Sequence, residues 1–510
     1  MSRARERHDV VVVGAGVAGC AAALAAARSG SRVALLTKAP EPEESNTRYA
    51  QGGIIFTSPD DSPELLADDV VEAGGGVGDR NAVRLLAVEG PEIVRRLLVD
   101  ELGVPFDRKE SGELKLTREG AHSVARIIHR KDTTGDAIQN ALTHAVTTDE
   151  NIEFFPDSTV LELLVAGGRC VGVAALIGGE STSMQARSVV LATGGFAGLY
   201  ERTTNPAIAT GDGLALALSV GAEVRDLHYV QFHPTVLYRP DGAGRAALVS
   251  EAVRGEGGVL VDSSGEEFIE HPGGSLAPRD VVAREISYAM RRSGLPCVYL
   301  DATPQRTGRP AGWFAGRFPE IHARCVEAGI FPDENPIPVS PAAHYTCGGV
   351  LTDLFGRTNV PGLLAAGEVA STGIHGANRL ASTSLLEGLL FGWRAGEAAC
   401  RTPGFGGAFG THRPPAESDP ESRWASLSRL RRIMWMRAGL VRDAEGLEAG
   451  LRELERSAPG TDVTGPVLVA RSVLRAALLD NVNLGCHYRS DARSTGGTGY
   501  APRRLAGLPG

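Results

Sequence analysis

The chain has 510 residues, of which 43% are hydrophobic and 22% are charged, and it contains 64 glycines and 29 prolines. This length exceeds what one hydrophobic core usually organises, so it predicts two or three domains, and the composition excludes a disordered chain. A formal net charge of −9 argues against nucleic acid or an anionic membrane surface as a partner and favours small molecules.

The N-terminal elements predict a βαβ unit. Residues 10–13 are four valines, a run typical of a strand buried on both faces of a parallel sheet. An alanine-rich helix is predicted from Ala18 to Ser29 and ends at Gly30, and a second strand is predicted over residues 32–36. Together these elements indicate a doubly wound nucleotide-binding domain.

Glycines connect the first predicted strand to the first predicted helix. Gly14, Gly16 and Gly19 form a G-x-G-x-x-G motif, in which missing side chains let backbone N–H groups approach a pyrophosphate at the helix N-terminus. The generic motif then expects an acidic residue about 20 positions later, but here the second strand ends in Thr37 and Lys38. Lys38 would bind a phosphate as in an NADP site, lie beside an adenosine, or be solvated; the spacing does not separate these possibilities.

The cysteines and the N-terminal arginines indicate in which cellular compartment we expect the protein. The seven cysteines include no C-x-x-C pair, so we expect neither a metal site nor an iron–sulfur cluster, and a reducing cytoplasm fits. Arg3, Arg5 and Arg7 precede an apolar stretch similar to a signal peptide, but three glycines interrupt it. Because no later segment offers roughly 18 uncharged apolar residues, we expect a cytoplasmic protein without a membrane span.

Two later apolar strands also lead into glycine turns. Residues 189–192 run into Thr193-Gly194-Gly195, and residues 363–366 run into Gly367-Glu368. Ligands of α/β sheets bind at the carboxyl ends of the strands, so three segments would converge on one extended dinucleotide, which favours FAD. Glu368 would accept hydrogen bonds from ribityl or ribose hydroxyl groups.

The remaining chain predicts two further parts. The segment from about Asp226 to about His344 is rich in Pro, Gly, His and Arg and breaks the alternation of strand and helix. From Arg423 to Asn481, apolar residues recur at helical spacing. The predicted fold class is α/β, with a Rossmann-like FAD-binding domain, an inserted α+β capping domain and a C-terminal helical domain. The predicted boundaries are 1–226 and 345–405 for the FAD-binding domain, 227–344 for the capping domain, 406–422 for a linker, 423–495 for the helical domain and 496–510 for a tail.

Six blocks of the sequence match one family in order. They read NTRYAQGG at 46–53, QFHPT at 231–235, SEAVRGEG at 250–257, APRD at 277–280, AHYTCGG at 343–349 and HGANRLASTSLLE at 375–387. The chain thereby resembles the succinate dehydrogenase, fumarate reductase and L-aspartate oxidase superfamily over most of residues 8–395. The resemblance implies a set of FAD-binding residues, namely Gly14, Gly16, Ala18, Gly19, Lys38, Asn46, Thr47, Arg48, Tyr49, Ala50, Gln51, Gly52, Gly53, Asp212, Glu368, Ser384 and Leu385.

Two positions distinguish members within the superfamily. Members of membrane complexes attach the flavin through a histidine at the position of Thr47, so the resemblance implies that FAD is held non-covalently. The segment LTREGAHS at 116–123 resembles the block of the aspartate-oxidising members, whose glutamate faces the substrate ammonium group. Glu119 would therefore bind the amine, whereas an unpaired carboxylate beside a plain dicarboxylate would repel it.

The other implied site residues suit a four-carbon dicarboxylate. Arginine binds planar carboxylates in a bidentate manner, which makes Arg254 and Arg379 the predicted anion-binding residues. His233, His344 and Ser250 would complete the carboxylate contacts. Arg279 aligns with the proposed acid/base of the superfamily, a role that requires Glu251 or Asp280 to relay the proton because a guanidinium normally stays protonated.

The resemblance implies oxidation of L-aspartate to iminosuccinate with O2 or fumarate as acceptor, followed by delivery to quinolinate synthase in de novo NAD biosynthesis. The alternatives are a soluble fumarate reductase or succinate oxidase, a respiratory subunit that needs an iron–sulfur partner, and a flavin-binding scaffold without turnover. Residues 479–488 depart from the basic run of the family and retain only Gly485, His487 and Tyr488. This departure puts in doubt how the helical domain packs on the flavin domain.

Overall fold

A five-stranded parallel sheet forms the centre of the fold. The computed structural model describes residues 8–240, 245–403, 420–456, 464–492 and 504–505. All neighbouring strands of the central sheet pair in parallel. Their order across the sheet is Leu363–Ala365, Ser188–Leu191, Val10–Val13, Val33–Leu36 and Ile152–Phe155. The predicted βαβ unit is present, and its helix spans Val17–Arg28.

Small residues let two helices pack closely against this sheet. Helix Val17–Arg28 is buried along almost its whole length and contacts helix Thr383–Cys400. A Cβ atom on Gly392 or Gly396 would overlap the backbone of the first helix. Close approach of the two helices therefore depends on glycine, and it fixes the position of the residues that precede Thr383.

The helices of the described residues are distributed over three regions. Those of the nucleotide-binding region are Val17–Arg28, Pro63–Ala73, Arg80–Ile93, Thr134–Thr148, Asp212–Ser219 and Thr383–Cys400, with a π-helix at Val94–Glu101. Those of the inserted region are Glu251–Gly255, Arg279–Ser293, Pro304–Thr307, Trp313–Arg317 and Pro319–Glu327. Those of the C-terminal region are Pro420–Arg437, Ala444–Glu455 and Thr464–Leu479. Short 3₁₀ turns lie at Ala197–Leu199, Gly274–Leu276 and Gly367–Val369.

The inserted region has its own antiparallel sheet and core. Its strands follow the order Val230–Leu237, Ile337–Thr346, Val298–Asp301 and Val259–Val261. Helix Arg279–Ser293 packs on this sheet, with its buried face formed by residues such as Val282 and Ile286. The predicted fold class is confirmed by this α+β cap on a Rossmann-like domain. The boundaries at 226/227 and 344/345 remain our proposal, and strand Ile337–Thr346 crosses the second one.

Three smaller sheets contain the other strands of the described residues. An antiparallel sheet contains Ser158–Ala166, Arg169–Ile177 and Glu180–Gln185, and another contains Ile54–Ile55, Ile127–Ile128 and Leu116–Thr117. The last joins Ala370–Ser371, Gly349–Leu351, Val224–Arg225 and Arg504–Leu505. Two residues of the predicted tail thus pair with the body, while residues 496–503 and 506–510 lie outside the described residues.

The atypical segment before the tail does contact the flavin-binding region. The backbone N–H of Cys486 donates to the Ala377 carbonyl at 2.9 Å, and Arg284 donates to the Gly485 carbonyl at 3.1 Å. The buried Arg442 donates to the carbonyl of His228 at 2.8 Å and contacts His487 Nδ1 at 2.9 Å. The C-terminal region therefore packs on the flavin-binding region through Ala377 and on the capping domain through Arg284 and His228. Of the predicted linker, only residues 420–422 are described, and helix Pro420–Arg437 begins there.

Within the described ranges, no helix is both long enough and apolar enough to cross a membrane. The same residues contain no group of three or more His, Cys, Asp or Glu side chains arranged to hold a metal ion.

Candidate active site

One large cleft lies between the parallel sheet and the capping domain. Its volume, including the solvent-filled mouth, is about 1680 Å³. It is lined by the glycine turn after strand Val10–Val13, by the loop 45–53 and by the turns at 192–194 and 366–368. Residues of the capping domain line the same cleft. The strand ends and the cap therefore converge on one elongated site, as expected for a dinucleotide beside a small substrate.

The glycine motif forms the tight turn that a pyrophosphate needs. Gly14 has a φ of +106°, a conformation that L side chains rarely adopt, and a Cβ there would overlap the carbonyl oxygen of Ala192. A Cβ on Gly19 would overlap the carbonyl oxygen of Gly14, so Gly19 packs the helix on the turn and does not line the cleft. Gly16 and Ala18 do line it. The turn thus leaves the start of helix Val17–Arg28 open to a ligand.

The loop 45–53 presents polar atoms without partners inside the protein. Asn46 Oδ1, Gln51 Oε1 and, on a neighbouring turn, Thr193 Oγ1 are buried and accept or donate no hydrogen bond among the described residues. All three residues line the cleft. Buried polar atoms normally find partners, so these atoms, together with the glycine turn, fit a polar cofactor such as FAD.

Thr47 explains why the cofactor would not be attached covalently. Its hydroxyl accepts a hydrogen bond from the Val17 backbone N–H at 3.0 Å, at the start of the helix that follows the glycine turn. No imidazole nitrogen is available at this position for a bond to the flavin. Thr47 instead connects the loop 45–53, here called the flavin loop, to the helix N-terminus.

Lys38 is paired with a carboxylate of the protein. Its ammonium group donates to Thr210 Oγ1 at 3.1 Å and forms a salt bridge with Asp212. Both charged residues line the cleft. Because Asp212 already neutralises this lysine, the pair argues against a site for the extra phosphate of NADP.

Glu368 forms hydrogen bonds with two separate segments of the chain, around Asn46 and around Thr346. Its carboxylate accepts hydrogen bonds from the Thr346 backbone N–H at 3.0 Å and from Asn46 Nδ2 at 3.0 Å. Burial raises the pKa of this carboxyl group, and the hydrogen bonds from Thr346 and Asn46 oppose the shift. Glu368 therefore lines the cleft as predicted and also positions the flavin loop.

Two arginines face each other in the part of the cleft under the cap. Arg379 is 6% exposed, and among the described residues no carboxylate lies within salt-bridge distance of it. Burial, followed by the positive charge of Arg279, lowers its pKa. Arg279 Nε donates to Glu251 at 2.6 Å, and its Nη1 donates to Gln231 at 3.1 Å. Glu368 acts on Arg379 only from beyond salt-bridge distance, and a buried cation without a paired counterion is unfavourable, so this arrangement favours an anionic ligand.

Glu251 is held ionised by its neighbours. Burial opposes ionisation, but Arg279 and then Arg254 outweigh it and keep the pKa of Glu251 below its ordinary value. Asp280, the other proposed proton relay, contacts Arg284 at 3.0 Å and Asn378 at 3.1 Å. Glu251 is therefore the carboxylate in direct contact with Arg279.

The two histidines of the site are neutral. Burial and neighbouring arginines lower the pKa of His233 and of His344 well below the ordinary value. Thr204 Oγ1 contacts His344 Nδ1 at 2.7 Å, and His233 Nε2 is buried without a partner. His233 thus offers an unused ring nitrogen to a ligand in the cleft.

Glu119 is enclosed in the same cleft. It is 3% exposed, and Ser382 Oγ donates to its Oε2 at 2.5 Å. Its other oxygen lies against Gly52, where a Cβ would overlap it. Burial, and then the charge of Glu251, raise the pKa of Glu119, while Arg279 opposes the shift. Glu119 therefore faces the flavin loop and the arginines and is shielded from bulk water.

Most of the predicted site residues line this one cleft. Three do not, namely Gly19, Arg48 and Arg254. Arg48 lies 3.4 Å from Asp136 and 3.3 Å from Glu41, on the outer side of the loop. Arg254 lies 3.7 Å from Glu251 and donates to the Ser275 carbonyl. The other predicted residues that line the cleft are Tyr49, Ala50, Gly53, Ser250, Ser384 and Leu385.

The lining residues that were not predicted include Asn205, Arg245, Tyr345 and Ser382. The Tyr345 ring lies 4.5 Å from the Arg379 guanidinium, and its hydroxyl donates to Glu387 at 2.8 Å. Arg245 of the cap stacks on the Tyr49 ring of the flavin loop at 3.8 Å. Tyr345 and Ser382 lie inside the matching blocks, but their types alone indicate no role.

The fold and the cleft define a flavoprotein with an FAD-binding domain. Residues 9–385 match the family model described as FAD binding domain, which covers more than half of the chain. A solved structure of quinol fumarate reductase from E. coli is similar in fold, with a TM-score of 0.87 and 28% identity over 99% of this chain and 97% of that chain.

Curated relatives are more similar in sequence. L-Aspartate oxidase of Mycobacterium bovis is 43% identical over 96% of this chain and 93% of its own length. L-Aspartate oxidase of Streptomyces coelicolor is 44% identical over 95% of this chain and 88% of its own length. The chain belongs to the L-aspartate oxidase family.

Proposed function

We propose that this protein oxidises L-aspartate to iminosuccinate with non-covalently bound FAD, in the first step of de novo NAD biosynthesis. The observation that supports this substrate best is the buried carboxylate of Glu119 in the same cleft as two facing arginines. An amino-dicarboxylate presents two anions and one cation. It therefore matches both signs of charge in the cleft.

The charge balance of the buried groups favours the same substrate. Three guanidinium groups, those of Arg254, Arg279 and Arg379, stand beside the carboxylates of Glu119 and Glu251, while both histidines are neutral. With both carboxylates ionised, this group of five side chains carries one net positive charge, which the single net negative charge of L-aspartate would balance. Glu368, whose charge also acts on Arg379, is counted with the cofactor side of the cleft.

Each group then has a defined task. Arg379 and Arg279 would bind the two substrate carboxylates, assisted by His233, His344 and Ser250. Glu119 would accept hydrogen bonds from the ammonium group and thereby set the orientation of Cα. Bound FAD supplies the acceptor that removes a hydride from Cα. The proton lost by the amine would pass to the Arg279–Glu251 pair, whose Nε and Oε2 atoms are 2.6 Å apart.

A second candidate is oxidation of succinate or reduction of fumarate. The similarity in fold to quinol fumarate reductase favours it, and the charge balance permits it if Glu119 is protonated. The raised pKa of Glu119 makes protonation easier than for an ordinary glutamate. A dianion without an amine would then bind with uptake of a proton, so its affinity would rise at lower pH.

The test uses the purified holoenzyme in air and follows hydrogen peroxide with L-aspartate or succinate as substrate. Aspartate-dependent peroxide, together with trapping of iminosuccinate, supports the proposal. Peroxide with succinate and none with aspartate would favour the second candidate. No peroxide with either substrate, and no aspartate oxidation with fumarate as acceptor, would refute the oxidase. Elution with an iron–sulfur partner in size-exclusion chromatography would indicate a respiratory subunit.

The product has a short expected lifetime, since imines hydrolyse in water. We therefore propose that iminosuccinate is used by quinolinate synthase soon after release. Mixing the two enzymes should give quinolinate from aspartate in higher yield than adding the oxidase product after a delay. Equal yields would argue against this coupling.

A further inference from the structure

The residue before helix Thr383–Cys400 has an unusual backbone conformation. Ser382 has a φ of +58°, in the left-handed region that favours glycine, and it is buried at 7% exposure. A serine that precedes a helix normally accepts a hydrogen bond from an N–H of the first turn. Ser382 makes no such capping bond. Its hydroxyl donates to Glu119 Oε2 at 2.5 Å instead.

The segment 119–126, which contains Glu119, is also fixed to the residue before Ser382 by a second hydrogen bond. Arg126, which is fully buried, donates to His122 Nδ1 at 3.2 Å, so His122 carries its proton on Nε2 and donates to the Ala381 carbonyl at 3.0 Å. Arg126 is itself held by Asp61 at 2.9 Å and by Asp69. Ala121 also has a left-handed backbone, with a φ of 63°. Both segments are thus held in uncommon conformations where they meet.

The orientation of Glu119 follows from these contacts. One carboxylate oxygen receives the Ser382 hydroxyl, and the other lies against Gly52 of the flavin loop. A strained residue persists only where its surroundings determine its conformation, and such strain is concentrated at functional sites. We infer that Ser382 is a positioning residue that orients the Glu119 carboxylate toward the substrate ammonium group and so sets the preference for an amino-dicarboxylate. This inference rests on the proposed function.

The test replaces Ser382 with Gly and with Asn in the holoenzyme. Glycine adopts the left-handed backbone without strain and lacks the hydroxyl, whereas asparagine tolerates that backbone and retains a donor. Ser293→Ala, which removes an exposed hydroxyl at a distant helix end, is the matched control. The measurements are flavin content, kcat and KM for L-aspartate, and the inhibition constant of succinate, which has no amine.

We expect Ser382→Gly to raise the KM for aspartate about tenfold, as for loss of a hydrogen bond to a charged group. Flavin content and the succinate constant should stay within about twofold of the wild type, and Ser382→Asn should recover part of the loss. The acidic limb of the aspartate kcat/KM profile should move to higher pH, because Glu119 loses a donor to its ionised form while Glu251, Arg279 and Arg379 still face it.

Three results would overturn the inference. They are an equal loss of affinity for aspartate and succinate, a Ser382→Gly enzyme identical to the wild type, and loss of FAD in both Ser382 variants, which would make the role structural. Failure of the proposed function is distinguishable, since the wild type itself would then not oxidise aspartate.

Discussion

Replacement of Glu119 by glutamine isolates the charge that we assign to amine recognition. Glutamine keeps the size of the side chain and can still accept the Ser382 hydrogen bond, but it removes the negative charge. A unit charge pair about 4 Å apart interacts by ~4 kcal/mol at an effective dielectric constant near 20, which is an upper bound. Measured hydrogen bonds to charged groups contribute about 1.5–3 kcal/mol. We therefore expect a loss of about 2 kcal/mol, or roughly thirtyfold in the KM for aspartate.

The same change should leave succinate or fumarate binding equal or tighter, because a carboxylate that repels a dianion has been removed. The assay compares aspartate-dependent peroxide formation with inhibition by succinate, and the control is Glu113→Gln, an exposed carboxylate paired with Lys109. An equal loss of affinity for aspartate and for succinate would refute this prediction. It would mean that Glu119 supports the structure of the cleft but does not recognise the amine.

Three other predictions concern the cofactor, the chemistry and pH. Arg279→Leu should retain the yellow flavin but lose at least about a hundredfold in kcat, within the range typical of acid–base groups; turnover at the wild-type rate would exclude that role. Gly14→Ala should yield protein with little FAD and a lower Tm, because its Cβ would overlap a backbone carbonyl at a φ of +106°; wild-type flavin content would contradict this. The pKa of Glu119 is raised, so kcat/KM for aspartate should fall as the pH is lowered through that pKa, while binding of succinate should not; a common pH profile for both would argue against an ionised Glu119 in the aspartate complex.

The sequence could predict the parts of the fold that depend on local pattern. The four valines at 10–13, the alanine-rich helix and the glycine motif specify the βαβ unit through burial and steric fit alone, and the strand boundaries agree within one residue. The family resemblance predicted that blocks far apart in the sequence line one cleft. It could not show which members of a block line the cleft: Arg254 was predicted to bind the substrate, but it is not among the lining residues.

Other features depend on tertiary contacts that no local pattern encodes. Lys38 left three interpretations open because its partner, Asp212, is 174 positions away. The left-handed backbone at Ser382 could not be predicted either, since serine is not a residue type that favours this conformation. The contacts of residues 485–487 with Ala377, Arg284 and Arg442 are likewise tertiary interactions that a motif comparison does not detect.

We propose that the cleft holds FAD beside a site that selects an ammonium-bearing diacid. The most direct measurement adds L-aspartate, and separately succinate, to the purified yellow protein without oxygen and follows the flavin absorbance. We expect rapid bleaching by L-aspartate and little change with succinate at the same concentration. Bleaching by succinate that equals or exceeds that by aspartate, or no bleaching by aspartate, would contradict it.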